Sequence, residues 1–519
     1  MTNKFYKWGS KLKKLIYYLG ILFLVIIIIL NFAITSFLDK SEHIIMKFNS
    51  FLYIAGIIVL GLFVYFITKT INKYLYDKSN FKTREEERKI VFKYAIRIYV
   101  VLNIIWAITV NPKVIGDSVH VCNLAQTFYR GNLQEFLPDI TYLGVPLYEY
   151  MQIYPQQITL AFVYNIFFRI ICFDIMEVLR VLNIISNVLI VIALYKINVQ
   201  LSKKYETNKP LLFTLIVTFI SLIMLVTFIY GDIPGLALSL WSTYFIMKYV
   251  ENKKMKNFVL ATILMMIAYM MRMNCLIFII ATIIYLVLNL IEKWRLQRCK
   301  QNVFSILMIF IYISVSLIPA SLVKNYYLNK YHLDKERAYP IVSYFLMAME
   351  ESPRGNGWYN EDIAKKAVDN PDEIEEEYTE KIKNRLIYFS ENLEYTFKFY
   401  TEKIASMWTE NTYSAVRNNT IGDSNRFEKL IEPLTFYQKT LLILTCICSI
   451  IVLIQNRKNL SLEVIFLLTI FIGGFAFHIL WEAKSRYIIP YIVVLIPIAS
   501  ISIKKTNLNL HFFRRKKDS

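Results

Sequence analysis

Asp117, in the stretch NPKVIGDSVHV (Asn111 to Val121), stands directly after an apolar run and just before the amphipathic run Val119 to Phe128. A carboxylate held there can act as general base toward an incoming hydroxyl or amine. Asp before a helical run is also a common cap, and the sequence leaves both roles open. His120 falls about one helical turn from Asp117, as its partner or as an ordinary interfacial histidine. Arg272, in AYMMRMNCL, sits between two short apolar runs, where its guanidinium can clamp a phosphate in bidentate fashion or snorkel to the surface. Lys484 and Arg486, with Glu482, lie in WEAKSRYIIPY and suit a lipid phosphate or a headgroup ion pair. Trp481 and Tyr487 beside them read as an interfacial aromatic belt. In YLGVPLYEYMQIYPQQ (Tyr142 to Gln157), aromatic side chains, Tyr154 among them, can stack on sugar faces while Gln amides such as Gln156 bond to hydroxyls. The blander account has Pro155 opening an interfacial helix, with the tyrosines at headgroup depth.

What must position these residues is a membrane-embedded helical framework. The 519 residues are 56% hydrophobic and 19% charged, which excludes disorder, a disulfide scaffold and an ordinary soluble enzyme. The N-terminal lysines Lys4, Lys7, Lys11, Lys13 and Lys14 precede an apolar run from Leu15 to about Phe37, too long for a signal-peptide core. Placing basic loops inside gives twelve spans, at about 15–37, 51–70, 94–111, 178–199, 211–230, 233–250, 257–271, 274–291, 303–323, 437–455, 460–480 and 487–503. The fold class is therefore an all-α polytopic membrane protein of about twelve transmembrane helices. Residues 1–111 hold spans 1–3, 112–177 an outer loop with interfacial helices, and 178–323 spans 4–9. An extracytoplasmic helical loop, 324–435, precedes spans 10–12 in 436–503 and a basic cytoplasmic tail, 504–519. The apolar stretch 158–173, broken by Arg169, is read as an interfacial helix, because a crossing there would put every later basic loop outside. Both termini are then cytoplasmic.

The net charge of +20 has the same origin. The 324–435 loop carries 15 Lys and Arg against 20 Asp and Glu, so the basic excess resides in the rest of the chain and sets topology. Nucleic acid is accordingly not an expected partner. Within that loop, 361–368, 371–389 and 391–409 read as helices. Asp372, Glu373 and Glu375 lie in the first turn of the second, and Tyr395, Phe399 and Trp408 give the third an amphipathic face. The six cysteines form neither a CxxC metal pair nor a disulfide framework. The wealth of Ile, Asn and Lys fits an AT-rich bacterial genome.

With this topology Asp117, Asp139, Glu149, Asp232, Arg272, Glu482, Lys484 and Arg486 gather on the outer side, where cations run against the inside rule. An acid after an early span, amphipathic helices in the first outer loop and a Tyr-Pro motif resemble the GT-C superfamily of membrane glycosyltransferases, nearest to its protein O-mannosyltransferase and aminoarabinose-transferase type. The stretches carrying the likeness are GDSVHV around Asp117, IYPQQ around Tyr154, IYGDIPG around Asp232, MMRMN around Arg272 and WEAKSRYIIPY. The resemblance implies an inverting transfer from a polyprenyl-phosphate sugar to a cell-envelope glycan, lipid or protein acceptor on the outer face of the cell membrane. It makes Asp117 the base or acceptor-orienting group, Arg272, Arg486 and Lys484 the donor-phosphate ligands, and His120, Tyr154, Gln156, Asp232 and Glu482 substrate-binding residues. Ser118 stands where many relatives carry a second acid, Tyr154-Pro155-Gln156 where many have paired prolines, and two extra spans precede the one leading to Asp117. No metal is expected, although some members use a divalent ion. A polysaccharide polymerase or O-antigen ligase, with Arg354, Arg417 or Arg426 as its key bases, and a lipid-linked glycan flippase are the competing readings. Against transport, the chain shows no internal repeat and few glycines.

Overall fold

The computed structural model describes residues 2–77, 81–112, 116–130, 141–142, 145–170, 175–294, 299–421 and 424–503. Asp139 and the tail at 504–519 lie outside the described residues. The chain begins with α1 (Thr2–Ala33), the hairpin β1 (Ile34–Leu38) and β2 (Ile44–Phe48), then α2 (Phe51–Asp77) and α3 (Phe81–Thr109). The segment after α3 holds α4 (Asp117–Arg130), the short ladder β3 (Thr141–Tyr142) with β4 (Val145–Pro146), α5 (Leu147–Ile153) and α6 (Gln157–Ile170). Then come α7 (Ile175–Leu201), α8 (Lys209–Val217), α9 (Ile220–Met224), α10 (Asp232–Asn252), α11 (Met255–Met271), α12 (Leu276–Lys293) and α13 (Cys299–Lys330). The long loop forms α14 (Ile341–Met349), α15 (Glu361–Asp369), α16 (Pro371–Glu391), α17 (Leu393–Trp408) and α18 (Ala415–Asn419). The chain closes with α19 (Ser424–Gln455), α20 (Leu462–Leu480), α21 (Ile489–Val493) and α22 (Ile496–Ala499). It is an all-α polytopic membrane protein.

Among the described residues eight helices are long and apolar enough to cross a membrane: α1, α2, α3, α7, α12, α13, α19 and α20. The pair α8 and α9, bent by 45°, makes a ninth if counted as one broken span. Three of the twelve expected spans are less regular. Helix α10 carries Asp232, Lys248 and Glu251, and α11 has only 17 residues. The last expected span is divided into α21 and α22, each with a proline in its first turn. Helix α6 has 14 residues, about 21 Å at ~1.5 Å per residue, well short of a ~30 Å hydrocarbon core. Rather than lying free on a leaflet it packs against α4, α11 and α13, burying Ile158, Leu160, Tyr164 and Phe168. Arg169 fastens it, donating to the Phe128 carbonyl at 3.2 Å near the end of α4.

Burial divides the spans into two sets. Helices α19, α20 and α12 are largely enclosed, whereas α2, α3 and α13 expose apolar residues around most of their circumference. In lipid the second set needs no polar face, and every backbone group is already paired within the helix. The apolar run predicted to reach Phe37 stops as a helix at Ala33, where the chain enters β1. The hairpin is held from below by Lys439, whose buried Nζ donates to Ile34 O at 2.6 Å and Thr35 Oγ1 at 2.8 Å. It is held from the side by α17, through Ser36 Oγ and Thr409 Oγ1 at 2.7 Å. The loop helices expected at 361–368, 371–389 and 391–409 are α15, α16 and α17.

Candidate active site

The site is built around one glycine. Gly231 adopts φ +77°, and a Cβ there would stand 2.6 Å from the Met271 carbonyl, so the turn between the 225–227 segment and α10 requires glycine. That turn sends its two neighbours to different partners. Tyr230 on one side donates to Asp117 Oδ2 at 2.8 Å. Asp232 on the other side heads α10, where the helix dipole favours a carboxylate, and meets Arg272 Nε at 3.1 Å and Arg486 Nε at 3.6 Å.

Asp117 opens α4 and receives a second hydroxyl, Tyr150 Oη, on Oδ1 at 3.0 Å. Both carboxylate oxygens are thus engaged by tyrosines of other elements. His120 stacks on the Tyr150 ring, 4.7 Å between centroids. Burial lowers its pKa, with the Asp117 charge opposing, so the imidazole is neutral at pH 7. Tyr154 lies between Tyr150 and Tyr339, at 5.1 and 5.5 Å. The ring series continues through Tyr344 to Trp481, stacked at 4.8 Å. Trp481, read from sequence as part of a lipid-facing belt, is instead packed on the α14 side of this aromatic wall. The residue that touches Tyr230 is Gln157, donating to its hydroxyl at 2.5 Å, rather than Gln156, whose carbonyl accepts from Thr159.

Arg272 ends α11 in extended conformation and is 14% exposed at its side chain, too enclosed for a snorkelling residue. Its guanidinium stands 4.4 Å from the Tyr230 centroid and 5.3 Å from that of Tyr487. Arg486 lies 4.1 Å from the Phe228 centroid and 5.6 Å from Tyr487. Tyr487, also assigned from sequence to the belt, therefore forms part of an aromatic cage for two cations. These arginines and Asp232 line a narrow cleft together with Leu225, Ile233, Leu236 and Phe278. Neither Arg272 Nε, Arg486 Nε nor Asp232 Oδ2 has an aligned hydrogen bond, although all three atoms are buried. A charged floor beneath apolar walls matches a phosphate attached to a lipid chain.

Lys484 is not part of that floor. It pairs with Glu42 Oε1 at 3.1 Å, on the hairpin between the first two spans. Glu482 is buried, and burial raises its pKa against the opposing charge of Lys484, with Glu42 and Asp117 adding to the rise. Glu149 pairs with Arg337 at 3.6 Å. Among the described residues no three His, Cys, Asp or Glu side chains converge as metal ligands.

Tyr230 and Lys403 escaped the sequence reading, whereas Tyr150 and Gln157 fell within the Tyr142–Gln157 stretch without being singled out. Fully buried Lys403 donates to Ala348 O and Ile479 O, each at 2.8 Å, and so pins α17 to the ends of α14 and α20 just before Trp481. Burial brings its pKa down to about 7, against the pull of Glu482. Glu410 holds the neighbouring turn by accepting Thr412 N at 3.1 Å and Ser414 N at 2.8 Å. Ser414 in turn meets the Ser485 hydroxyl at 2.9 Å.

A family model described as dolichyl-phosphate-mannose-protein mannosyltransferase matches residues 156–318. The match bears out the GT-C resemblance. Over that segment, about a third of the chain, the sequence is similar to this family of membrane glycosyltransferases of GT-C type. The matched part includes Asp232 and Arg272 and leaves out Asp117, Glu482, Lys484 and Arg486. Among curated proteins the chain has no significant match.

Proposed function

We propose that this protein is a glycosyltransferase that moves a sugar from a polyprenyl-phosphate donor to a cell-envelope acceptor on the outer face of the membrane, with inversion at the anomeric carbon. The observation that carries the reading is Tyr230, whose hydroxyl rests on Asp117 while its ring lies under Arg272. One side chain thereby couples a carboxylate to a caged cation that lines the apolar cleft. In the proposed step the acceptor oxygen attacks the anomeric carbon as the bond to the phosphate oxygen breaks. Asp117 takes the acceptor proton, and the departing lipid phosphate keeps the electron pair. Arg272 and Arg486 hold that phosphate, so the charge that grows on it meets cations already in place. Tyr150 and Tyr230 orient Asp117, while Tyr154 and the ring series beyond it offer faces for the sugar.

The outer face is favoured by the opposite end of the bundle, where Lys13, Lys203 and Lys204 form exposed ion pairs, as expected of a cytoplasmic surface. Purified full-length protein in lipid, given a panel of radiolabelled polyprenyl-phosphate sugars, tests the proposal. Sugar released to an acceptor or to water by the wild type, and lost in Asp117→Asn, is the expected result. No turnover with any donor at demonstrated folding would contradict it.

A further inference from the structure

Glu42 occupies the turn of the β1–β2 hairpin at φ +69°, a left-handed conformation unusual for any residue but glycine, asparagine or aspartate. The turn itself is closed by local bonds, from Asp39 N to His43 O at 3.0 Å and from His43 N to Asp39 Oδ1 at 2.8 Å. Its carboxylate is buried and meets three cations from three distant segments. Arg354 comes from the α14–α15 connection, Arg417 from α18 at 3.5 Å, and Lys484 from the segment after α20 at 3.1 Å. Among the described ion pairs these three cations all share the one Glu42 carboxylate, while buried Glu482 near Lys484 and Asp39 near Arg417 act only at longer range, so the cluster is short of carboxylates in direct contact. A cluster serving only to hold elements together gains most when its charges balance, because each unpaired buried charge costs free energy. These cations also keep part of their surface accessible, 27% for Arg354, 16% for Arg417 and 19% for Lys484. The cluster abuts the donor cleft, since Lys484 is two residues from Arg486.

We infer that Arg354, Arg417 and Lys484 form a second anion site, beside the Arg272–Arg486 floor, for a phosphoryl or carboxylate group of a substrate, with Glu42 as a built-in competing anion. That the group belongs to a substrate rests on the proposed function; the anion site itself does not. Two sources share this chemistry, an anionic acceptor and the outer phosphoryl of a diphosphate-linked donor. The site is contributed by the N-terminal hairpin and the long loop, so it ties both to the chemistry at the bundle end.

The test uses full-length protein in phosphatidylcholine nanodiscs at fixed ionic strength, with inorganic phosphate as probe and its binding followed by phosphorus NMR line broadening. Arg272→Gln leaves saturable phosphate binding at the second site, and the pair Arg354→Gln, Arg417→Gln weakens it at least tenfold. Glu42→Gln tightens phosphate binding about tenfold, the sign expected when a like charge is removed from a partly buried site. Because Glu42→Gln predicts a gain, misfolding cannot imitate it. Absence of saturable binding in Arg272→Gln, or unchanged binding in folded Glu42→Gln, would overturn the inference. Farnesyl phosphate and farnesyl diphosphate separate the sources. A diphosphate preference lost in the double variant assigns the anion to the donor, and simultaneous binding of farnesyl phosphate with inorganic phosphate assigns it to the acceptor.

Discussion

The two ends of the helical bundle use the same residue types in opposite ways. At one end, Lys13–Glu292, Lys203–Glu251 and Lys204–Glu463 are ion pairs with side chains up to 61% exposed. At the other end, Asp232 with two arginines and Glu42 with three cations are enclosed, Arg486 to 6% and Glu42 to 9%. Exposed pairs are screened by water and salt and contribute ~0–1 kcal/mol. Enclosed charges need a reason, since desolvation costs several kcal/mol per ion unless partners or a ligand offset it. Charge at the first end has the exposed, basic character expected of a surface that orients a chain in a membrane. Charge at the second end is arranged around an apolar cleft and a carboxylate, which is where a lipid-linked anion would be turned over.

Experiments that break one end and spare the other sharpen this contrast. The largest effect is expected for Asp117→Asn, with turnover lowered about 10³-fold, as for removal of a general base, read by transfer from a radiolabelled donor. Next is acid stability. Burial works against the ionised form of Glu42, yet Lys484, Arg417 and Arg354 hold its pKa down to about 2, below the ordinary 4.5. Its contribution, about 3 kcal/mol, is complete above pH 4.5 and is lost as the pH falls toward 2. Thermal unfolding in detergent should therefore drop between pH 5 and 3 in the wild type and drop less in Glu42→Gln.

Arg272→Gln should weaken donor binding by about 100-fold, the scale expected when a charge-assisted bidentate hydrogen bond is removed from an enclosed site, measured by equilibrium binding of a polyprenyl phosphate. Tyr230→Phe keeps the ring beneath Arg272 and removes the hydroxyl from Asp117, so turnover should fall about tenfold with donor affinity nearly unchanged. The smallest effect belongs to the opposite end. Lys203→Gln should alter stability by less than ~0.5 kcal/mol and leave transfer unaffected. A large activity loss there would erase the distinction between the two ends.

Much of the framework was legible because it rests on local pattern. Apolar runs and basic loops located the spans, and acids in its first turn marked the helix at Pro371–Glu391. The hairpin after Ala33 was missed because its first strand, ITSFL, continues an apolar run without a break, while Lys439, which fastens it, lies some 400 residues away in sequence. Within the site, Asp117, Asp232, Arg272 and Arg486 were found as charges out of place. Tyr230 was not, since one tyrosine among 37 carries no local sign that its hydroxyl will reach Asp117. Lys484 was grouped with Arg486 by proximity in sequence. Its partner Glu42 is visible only once the hairpin is folded against the long loop.

In the proposed reaction the carboxylate and the arginines divide the labour of one site. Donor binding and single-turnover transfer, measured side by side on Asp117→Asn, test it most directly. Wild-type affinity for the polyprenyl-phosphate sugar, with transfer reduced about 10³-fold, is the expected result. Donor affinity lost in step with transfer, in a folded protein, would place Asp117 in donor binding and contradict it.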